Sequence, residues 1–289
     1  MTTAPRPRRS VLYMPGSNQR ALDKAASLPV DALILDLEDS VAPDAKADAR
    51  GRVAAAAASG AYGYREVTIR VNAPGTPWHA DDLRAAAQAG PDAVVVPKVD
   101  SPDTVRRIVA ALEAAGAPDR TAVWAMIETP EAMFEARAIA AASARLTVLV
   151  MGTNDLAKEL RAEHVPGRAP LLTALSLALL AARVTGKVVL DGVYNDVRDL
   201  PGFEAETLQA RQLGFDGKTL IHPGQLEACN RIFAPDATEV DRSRRVIAAF
   251  EEATSQGRGV ATVDGRMIEN LHVEQAHRVL ALSEAIAGR

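Results

Sequence analysis

Eight short apolar runs recur along the chain, at 11–14, 32–37, 67–71, 93–96, 122–127, 146–151, 188–190 and 219–221, and each closes on a charged or glycine-containing tip. Their nearly continuous aliphatic and β-branched character predicts strands buried on both faces, since a half-exposed strand would alternate. Between them lie Ala-, Arg- and Glu-rich segments with helical spacing, for example 44–59, 102–115, 130–142 and 171–184. Strict alternation of the two predicts parallel strands, and eight repeats predict closure into a (β/α)₈ barrel. A doubly wound open sheet is the competing arrangement. It is disfavoured because the turn after the first run, Pro15-Gly16-Ser17, has no Gly-x-Gly-x-x-Gly cradle for a dinucleotide. After Phe233 the alternation stops. Two helices are predicted at 236–256 and 267–287, joined by a glycine-containing segment, 257–265, that reads as a hinge or an ordered crossing loop. The expected organisation is a barrel domain over 1–235 and a C-terminal helical extension over 236–289, suited to cover the barrel mouth or a neighbouring subunit.

Composition narrows the partners. With 289 residues and 48% apolar content, the chain can bury one large core without a second unrelated domain. A net charge of -4 gives a nucleic acid no basic footprint. The cluster Arg6, Arg8 and Arg9 reads as a solvated N-terminal arm. The first fifteen residues lack the apolar stretch of a signal peptide, and the apolar helix at 171–182 is too short to span a bilayer and meets Arg183, so no membrane partner and a cytoplasmic location are expected. The single cysteine, Cys229, has no internal disulfide partner, and its helical spacing with Leu226, Ile232 and Phe233 reads as core packing.

In a barrel the C-terminal strand ends converge on one face, so the tips become neighbours there. They supply Glu38 and Asp39 after the second strand, Arg70 and Asn72 at the third, Lys98 after the fourth, Glu128 after the fifth, Asp155 after the sixth, Asp191 after the seventh and His222 after the eighth. Taken singly, each has an ordinary structural role open to it, such as a cap, a turn or a snorkelling lysine. Their concentration at one end of nearly every strand favours a site. Glu128 and Asp155 are oxygen ligands with no Cys or His beside them, which suits a hard cation, Mg²⁺ first. Such a cation can chelate an α-hydroxy or α-keto acid while Glu38 and Asp39 orient its waters, and can stabilise an alkoxide or enolate as a neighbouring bond is made or broken. Arg70 can grip a substrate carboxylate in a two-point fork. The backbone N–H groups of Gly152, Thr153, Asn154 and Asp155, at a helix start, add a site for the same anionic group.

Seven motifs in order then resemble a known family across essentially the whole chain: Arg9-Ser10-Val11-Leu12-Tyr13-Met14-Pro15-Gly16; Asp36-Leu37-Glu38-Asp39-Ser40-Val41 with Lys46 and Arg50 after it; Arg70-Val71-Asn72; Pro97-Lys98; Ile127-Glu128-Thr129; Gly152-Thr153-Asn154-Asp155; and Gly214-Phe215-Asp216-Gly217-Lys218 through Ile221-His222-Pro223. They resemble the citrate lyase β-subunit-like proteins of the HpcH/HpaI aldolase superfamily. The resemblance implies a TIM barrel with a C-terminal lid, in a homo-oligomer, a trimer or hexamer, whose lid covers a neighbour's site. It implies Mg²⁺ held by Glu128 and Asp155, a 2-oxo acid carboxylate bound by Arg70, and a CoA thioester as substrate, as in malyl-CoA and citramalyl-CoA lyases, malyl-CoA thioesterases and the citryl-cleaving subunit of citrate lyase. Arg20 and Lys24, near the first tips, are candidate contacts for CoA phosphates, with plain helix-surface charge as the alternative.

One departure stands out. The lid of the CoA-ester lyases carries Met-Ile-Asp, whose aspartate serves as acid/base on the acetyl-CoA enolate, and this chain reads Met267-Ile268-Glu269. Glutamate keeps the carboxylate but reaches one methylene further, and about an ångström of misplacement can cost roughly 100-fold in rate. The expected activity is Mg²⁺-dependent, reversible cleavage of malyl- or citramalyl-CoA to acetyl-CoA and a 2-oxo acid, with Glu269 handling the enolate proton. The alternatives are a malyl-CoA thioesterase built on the same site, or a subunit acting only on a carrier-bound acyl group.

Overall fold

The computed structural model describes residues 6–289, and in it eight parallel strands close into a barrel in chain order, β1 to β8. The strands are β1 (Ser10–Pro15), β2 (Ala32–Asp36), β3 (Glu66–Arg70), β4 (Ala93–Val96), β5 (Ala122–Ile127), β6 (Leu146–Met151), β7 (Val188–Asp191) and β8 (Gly217–Leu220). The helices α1 (Gln19–Ala25), α2 (Lys46–Ala58), α3 (His79–Ala89), α4 (Pro102–Ala114), α5 (Pro130–Ala141), α6 (Thr153–Leu160), α7 (Leu172–Thr185), α8 (Leu200–Leu213) and α9 (Leu226–Phe233) follow the strands, with α6 and α7 both in the crossover from β6 to β7. This is the (β/α)₈ arrangement that the alternation predicts. Local chemistry sets the helix ends. Asn18, Ser101, Thr129 and Asp199 accept a backbone N–H at the starts of α1, α4, α5 and α8, three of which also carry Pro in the first turn.

The barrel interior is apolar. Val11, Ala32, Ile34, Ala93, Val95, Trp124, Met126, Val148, Val150 and Leu190 pack there as one cluster, alternate residues of their strands facing inward. At the N-terminal ends of the strands, Arg8 forks onto Glu66 (2.5 and 2.8 Å) and Arg9 onto Asp31 (2.9 and 2.8 Å), while the Arg8 guanidinium lies 5.5 Å from the centre of the Trp124 ring. Arg8 and Arg9 are therefore structural closures of the barrel floor and not a solvated arm. The buried carboxylates of strand and loop needed cations, and the residues preceding β1 supply them. Cys229 is fully buried, with its thiol donating to the Arg9 carbonyl oxygen at 3.2 Å.

The stretch 166–185 has the length and composition of a membrane span, but Gly167 and Arg168 break it with left-handed backbone, leaving a 14-residue helix α7. That is shorter than the roughly 20 residues a span needs. The inner face of α7, Ala174, Leu175, Ala178, Leu179 and Ala182, is buried.

The chain divides into two compact units, one from Arg8 to Asn230 and one containing Arg231–Arg289. The second unit packs α10 (Ala237–Ser255) and α11 (Asn270–Ala287) with an antiparallel hairpin of β9 (Ala261–Val263) and β10 (Arg266–Ile268) around Val246, Ala253, Ala261, Val263, Ile268, Val273 and Ala276. An Asp236/Glu239 capping box starts α10. The expected crossing loop is thus partly a hairpin. Asp264 and Gly265 turn it in the left-handed region (φ 51° and 72°), and Arg245 clamps the Asp264 carboxylate at 2.6 and 3.0 Å. Met267 and Ile268 lie on β10 instead of on a helix, and Glu269 is the residue before α11, its N–H donating to His272 Nδ1 at 3.1 Å.

Candidate active site

The C-terminal strand ends of the barrel enclose a cavity of about 340 Å³ whose wall includes Tyr13, Asp36, Asp39, Arg70, Met126, Glu128, the run from Gly152 to Asp155, and Asn195. The strands deliver these groups by position alone. Arg70 is the last residue of β3 and sits in register with Asp36, the last of β2; Glu128 follows β5; Gly152 follows β6; Thr153, Asn154 and Asp155 open α6.

Arg70 is the hub. Its Nε and Nη2 fork onto Asp36 at 2.6 and 2.8 Å, and Nη1 meets Glu38 at 2.7 Å and Asp39 at 3.3 Å. Its guanidinium also lies 4.8 Å from the centre of the Tyr13 ring. The two-point edge expected to grip a substrate is therefore already used on Asp36, because the β2–β3 register puts a buried carboxylate directly opposite, and Nη1 is held by Glu38 and Asp39 from the loop after β2. Burial works to raise the Asp36 carboxyl, but the charge and hydrogen bonds of Arg70, with those of Ser40 and the Glu38 N–H, hold it below the ordinary range.

The loop after β2 is fixed from behind. Lys46, 6% exposed, donates to the carbonyls of Leu37 and Glu38 at 2.8 and 2.7 Å, and Asn72 donates to the same Leu37 carbonyl at 2.9 Å and to Asp82 at 2.6 Å. Arg50 closes that set on Asp82 at 2.7 Å. This gives Lys46, Arg50 and Asn72 a supporting role: they hold the peptide that carries Glu38 and Asp39.

Glu128 is 1% exposed, and one oxygen accepts the Lys98 N–H at 2.7 Å. Lys98 itself has left-handed backbone (φ 52°), uncommon for a non-glycine residue, and its ammonium reaches Asp155 at 3.8 Å. Gly152 has no side chain to spare. A Cβ there would stand 2.0 Å from Glu128 Oε2. Burial pushes Glu128 up to about 8, the charges of Glu38 and Asp155 adding to it and the Lys98 N–H opposing it. Glu38 is pushed up to about 7, by burial first and by Asp39 and Asp36 next, against Arg70.

These groups fit a divalent hard cation. Asp36, Asp39, Glu128 and Asp155 line the cavity and Glu38 pairs with Arg70 beside it, against the charges of Arg70 and Lys98, an excess of carboxylates that a +2 ion offsets, and the donors are all oxygen. Among the described residues no cluster of three or more His, Cys, Asp and Glu side chains is gathered for a metal. Two carboxylates with the remaining positions left to water and substrate is the pattern Mg²⁺ favours.

The other expected residues lie elsewhere. Asp191 is fully buried in a closed ion cluster with Arg168 (2.7 Å) and Lys218 (2.6 Å), Lys218 also reaching Glu206 at 2.8 Å, so this tip is structural and does not enter the cavity. His222 accepts the Gly224 N–H at 3.0 Å as the start of a short turn. Arg20 and Lys24 stand exposed on α1 and do not line the cavity, and Lys24 occupies the last turn, where a cation complements the helix dipole. Sequence reasoning passed over Asp36, Tyr13 and Asn195. Asn195 exchanges two amide hydrogen bonds with Asn154, at 3.0 and 2.8 Å, and so ties the start of α6 to the loop after β7.

The chain is 50% identical over 281 residues, 97% of its length and 96% of the other's, to (3S)-malyl-CoA thioesterase of Cereibacter sphaeroides (strain KD131 / KCTC 12085). It is 38% identical over 284 residues, 96% of this chain and 94% of the other, to citrate lyase subunit beta of Escherichia coli (strain K12). Among solved structures, protein CitE from Mycobacterium tuberculosis in complex with magnesium, acetoacetate and coenzyme A superposes with a TM-score of 0.79 at 28% identity, over 95% of this chain and 97% of that one. Residues 9–223 match the family model of the HpcH/HpaI aldolase/citrate lyase proteins, and with these relatives spanning nearly its whole length, the chain belongs to that family.

Proposed function

We propose that this chain is a Mg²⁺-dependent enzyme of 3-hydroxy-3-carboxyacyl-CoA thioesters, and that its net reaction on (3S)-malyl-CoA is hydrolysis to malate and free CoA. The observation that carries the choice of hydrolysis is the 50% identity to a (3S)-malyl-CoA thioesterase over 97% of this chain. In the reaction water adds to the acyl carbon, the carbon–sulfur bond breaks, and a proton passes to the departing thiolate.

Glu128 and Asp155 would hold the cation, which when bound supplies Lewis acidity toward the substrate's hydroxyl and carboxylate oxygens. Arg70 presents Nη1 to the substrate carboxylate. The N–H groups of Thr153, Asn154 and Asp155, residues of the cavity wall at the start of α6, would meet the same anionic end, whereas the Gly152 N–H expected to join them is taken by the Ile127 carbonyl at 3.2 Å. Glu38, pushed up to about 7 beside Arg70, is placed to hold or release a proton near neutral pH. Glu269, on the second unit, is the proposed lid acid/base, its backbone N–H tied to His272.

A second reading is carbon–carbon cleavage, which releases acetyl-CoA and glyoxylate from the same malyl-CoA. It is favoured by the 38% identity to citrate lyase subunit beta and by the magnesium, acetoacetate and coenzyme A bound in the structural relative. Both readings use the same cation ligands and the same Arg70; they part at which bond next to the acyl group breaks. Chromatography of the products from malyl-CoA, with Mg²⁺ and with chelator, separates them. Metal-dependent malate and free CoA support hydrolysis. Acetyl-CoA with glyoxylate would replace it by the lyase reading, and inertness toward both malyl- and citramalyl-CoA would overturn the two together in favour of a carrier-bound acyl group.

A further inference from the structure

Arg70 has two kinds of partner, and they are held differently. Asp36 is 1% exposed and has no capacity left over: Oδ1 accepts Arg70 Nε at 2.6 Å and the Glu38 N–H at 2.9 Å, and Oδ2 accepts Arg70 Nη2 at 2.8 Å, the Ser40 N–H at 3.1 Å and the Ser40 hydroxyl at 2.6 Å. It cannot leave without stranding two backbone donors and half a guanidinium. Glu38 and Asp39 instead meet Arg70 only through Nη1, from a loop at the cavity edge, and the Asp39 side chain is 73% exposed.

We propose that Asp36 is the positioning residue of the site: it fixes the Arg70 guanidinium by its Nε/Nη2 edge so that Nη1 alone is offered to the cavity, where the substrate carboxylate takes the place Glu38 holds. The inference rests on the reading that Arg70 binds that carboxylate. Three features of the site follow from it. A guanidinium without this clamp has several rotatable bonds to order on each binding event. With it, the direction of Nη1 is set before substrate arrives. The Tyr13 ring, its centre 4.8 Å from the guanidinium carbon, closes off one face of the same plane, so the group is held at its edge and on its face while the remaining corner meets only the loop carboxylates Glu38 and Asp39.

The test is a double-mutant cycle read on KM, kcat and thermal midpoint with malyl-CoA as substrate. Asp36→Asn keeps one acceptor but turns a donor toward Arg70 Nη2 or the backbone N–H groups. KM is expected to rise about tenfold or more while kcat changes less than about threefold, and in an Arg70→Lys background the same substitution should change KM by less than about twofold. A merely structural role would lower the midpoint without a KM shift that Arg70→Lys abolishes. Ser40→Ala, which removes only the 2.6 Å hydroxyl bond, gives the same readout if Asp36→Asn fails to fold, with a smaller KM rise of about threefold expected. An unchanged KM in both Asp36→Asn and Ser40→Ala, or in whichever of them folds, with a raised KM in Arg70→Lys, would overturn the proposal and leave the function standing. An unchanged KM in Arg70→Lys would instead remove the carboxylate-binding reading beneath it.

Discussion

Replacing Gly152 by alanine tests the proposed metal site through a single methyl group. The backbone there tolerates a side chain, with φ at -95°, so no conformational strain confuses the result. The obstruction is Glu128. An added Cβ would stand 2.0 Å from Oε2, 2.4 Å from Cβ and 2.9 Å from Cδ of that side chain, where ordinary contact begins at 3.4 Å. Relief at Oε2 alone therefore requires about 1.4 Å of movement, the difference between 3.4 and 2.0 Å, from a carboxylate that is buried and pinned by the Lys98 N–H at 2.7 Å. Misplacement of about an ångström costs on the order of 100-fold in rate, or about 2.7 kcal/mol of transition-state stabilisation. The variant should lose Mg²⁺ affinity by about 10- to 100-fold and kcat/KM by about 100-fold, while its circular dichroism remains that of the parent. Calorimetric titration with Mg²⁺ and product chromatography read the two effects. A folded Gly152→Ala protein with parental Mg²⁺ affinity and turnover would refute both the position of Glu128 and its role as a ligand.

Other consequences are more local. Lys218→Met leaves Asp191 and Glu206 with Arg168 alone in a largely buried cluster, so denaturant unfolding should show a loss of about 3–5 kcal/mol, and a loss under about 1 kcal/mol would mean the cluster is not closed as described. In chelator, stability should fall as pH rises from about 5 to 8. Glu38 and Glu128, pushed by burial from 4.5 up to about 7 and about 8, keep protons in the folded chain that the unfolded chain has already released, at up to about 1.4 kcal/mol per pH unit for each carboxylate, Glu38 contributing until about pH 7 and Glu128 until about pH 8. Glu128→Gln should flatten that slope and Mg²⁺ should reduce it; a midpoint that rises across the window would contradict the assignment. Cys229, buried and raised by burial, should resist a maleimide in the folded protein at pH 7 and react with one equivalent in urea, and prompt labelling of the folded chain would place the thiol elsewhere.

The barrel was legible because its signal is one-dimensional: apolar runs of strand length, spaced by helical segments, leave few topologies. The same holds for the site residues at strand tips, since ending a strand places a residue on the catalytic face whatever surrounds it. What escaped depends on register and on side-chain partners. Asp36 is the last strand residue before Leu37-Glu38-Asp39, and nothing in its own neighbourhood says that Arg70 lies opposite; that follows only once β2 and β3 are paired. The same blindness made Asp191 look like a site residue and Arg8 and Arg9 like a loose arm, because the partners that claim them are 22 to 58 positions away. The hairpin after α10 was readable and was passed over: Asp264-Gly265 between Ala261-Thr262-Val263 and Arg266-Met267-Ile268 is a strong two-residue turn signal, masked by the glycines of the preceding loop.

The distribution of buried charge separates scaffold from site. At the barrel floor two cations are matched one to one with carboxylates, Arg8 with Glu66 and Arg9 with Asp31. The cluster behind β7 and β8 sets Arg168 and Lys218 against Asp191 and Glu206, again in balance. A chain selected for stability alone has every reason to balance its buried ions, because an unmatched one costs several kcal/mol. Around the cavity the balance fails. Asp36, Glu38, Asp39, Glu128 and Asp155 outnumber Arg70 and Lys98, and still do when Lys46 behind the wall is included. The excess is not spread along the surface but gathered where five strand ends meet, and two of its members are held well above the ordinary carboxylate range, by burial first and by the neighbouring carboxylates in addition. Folding gains nothing from that arrangement, and the proposed cation and carboxylate-bearing substrate would resolve it: the first would offset the excess at Glu128 and Asp155, and the second would exchange for Glu38 on the corner of Arg70 that Asp36 leaves open.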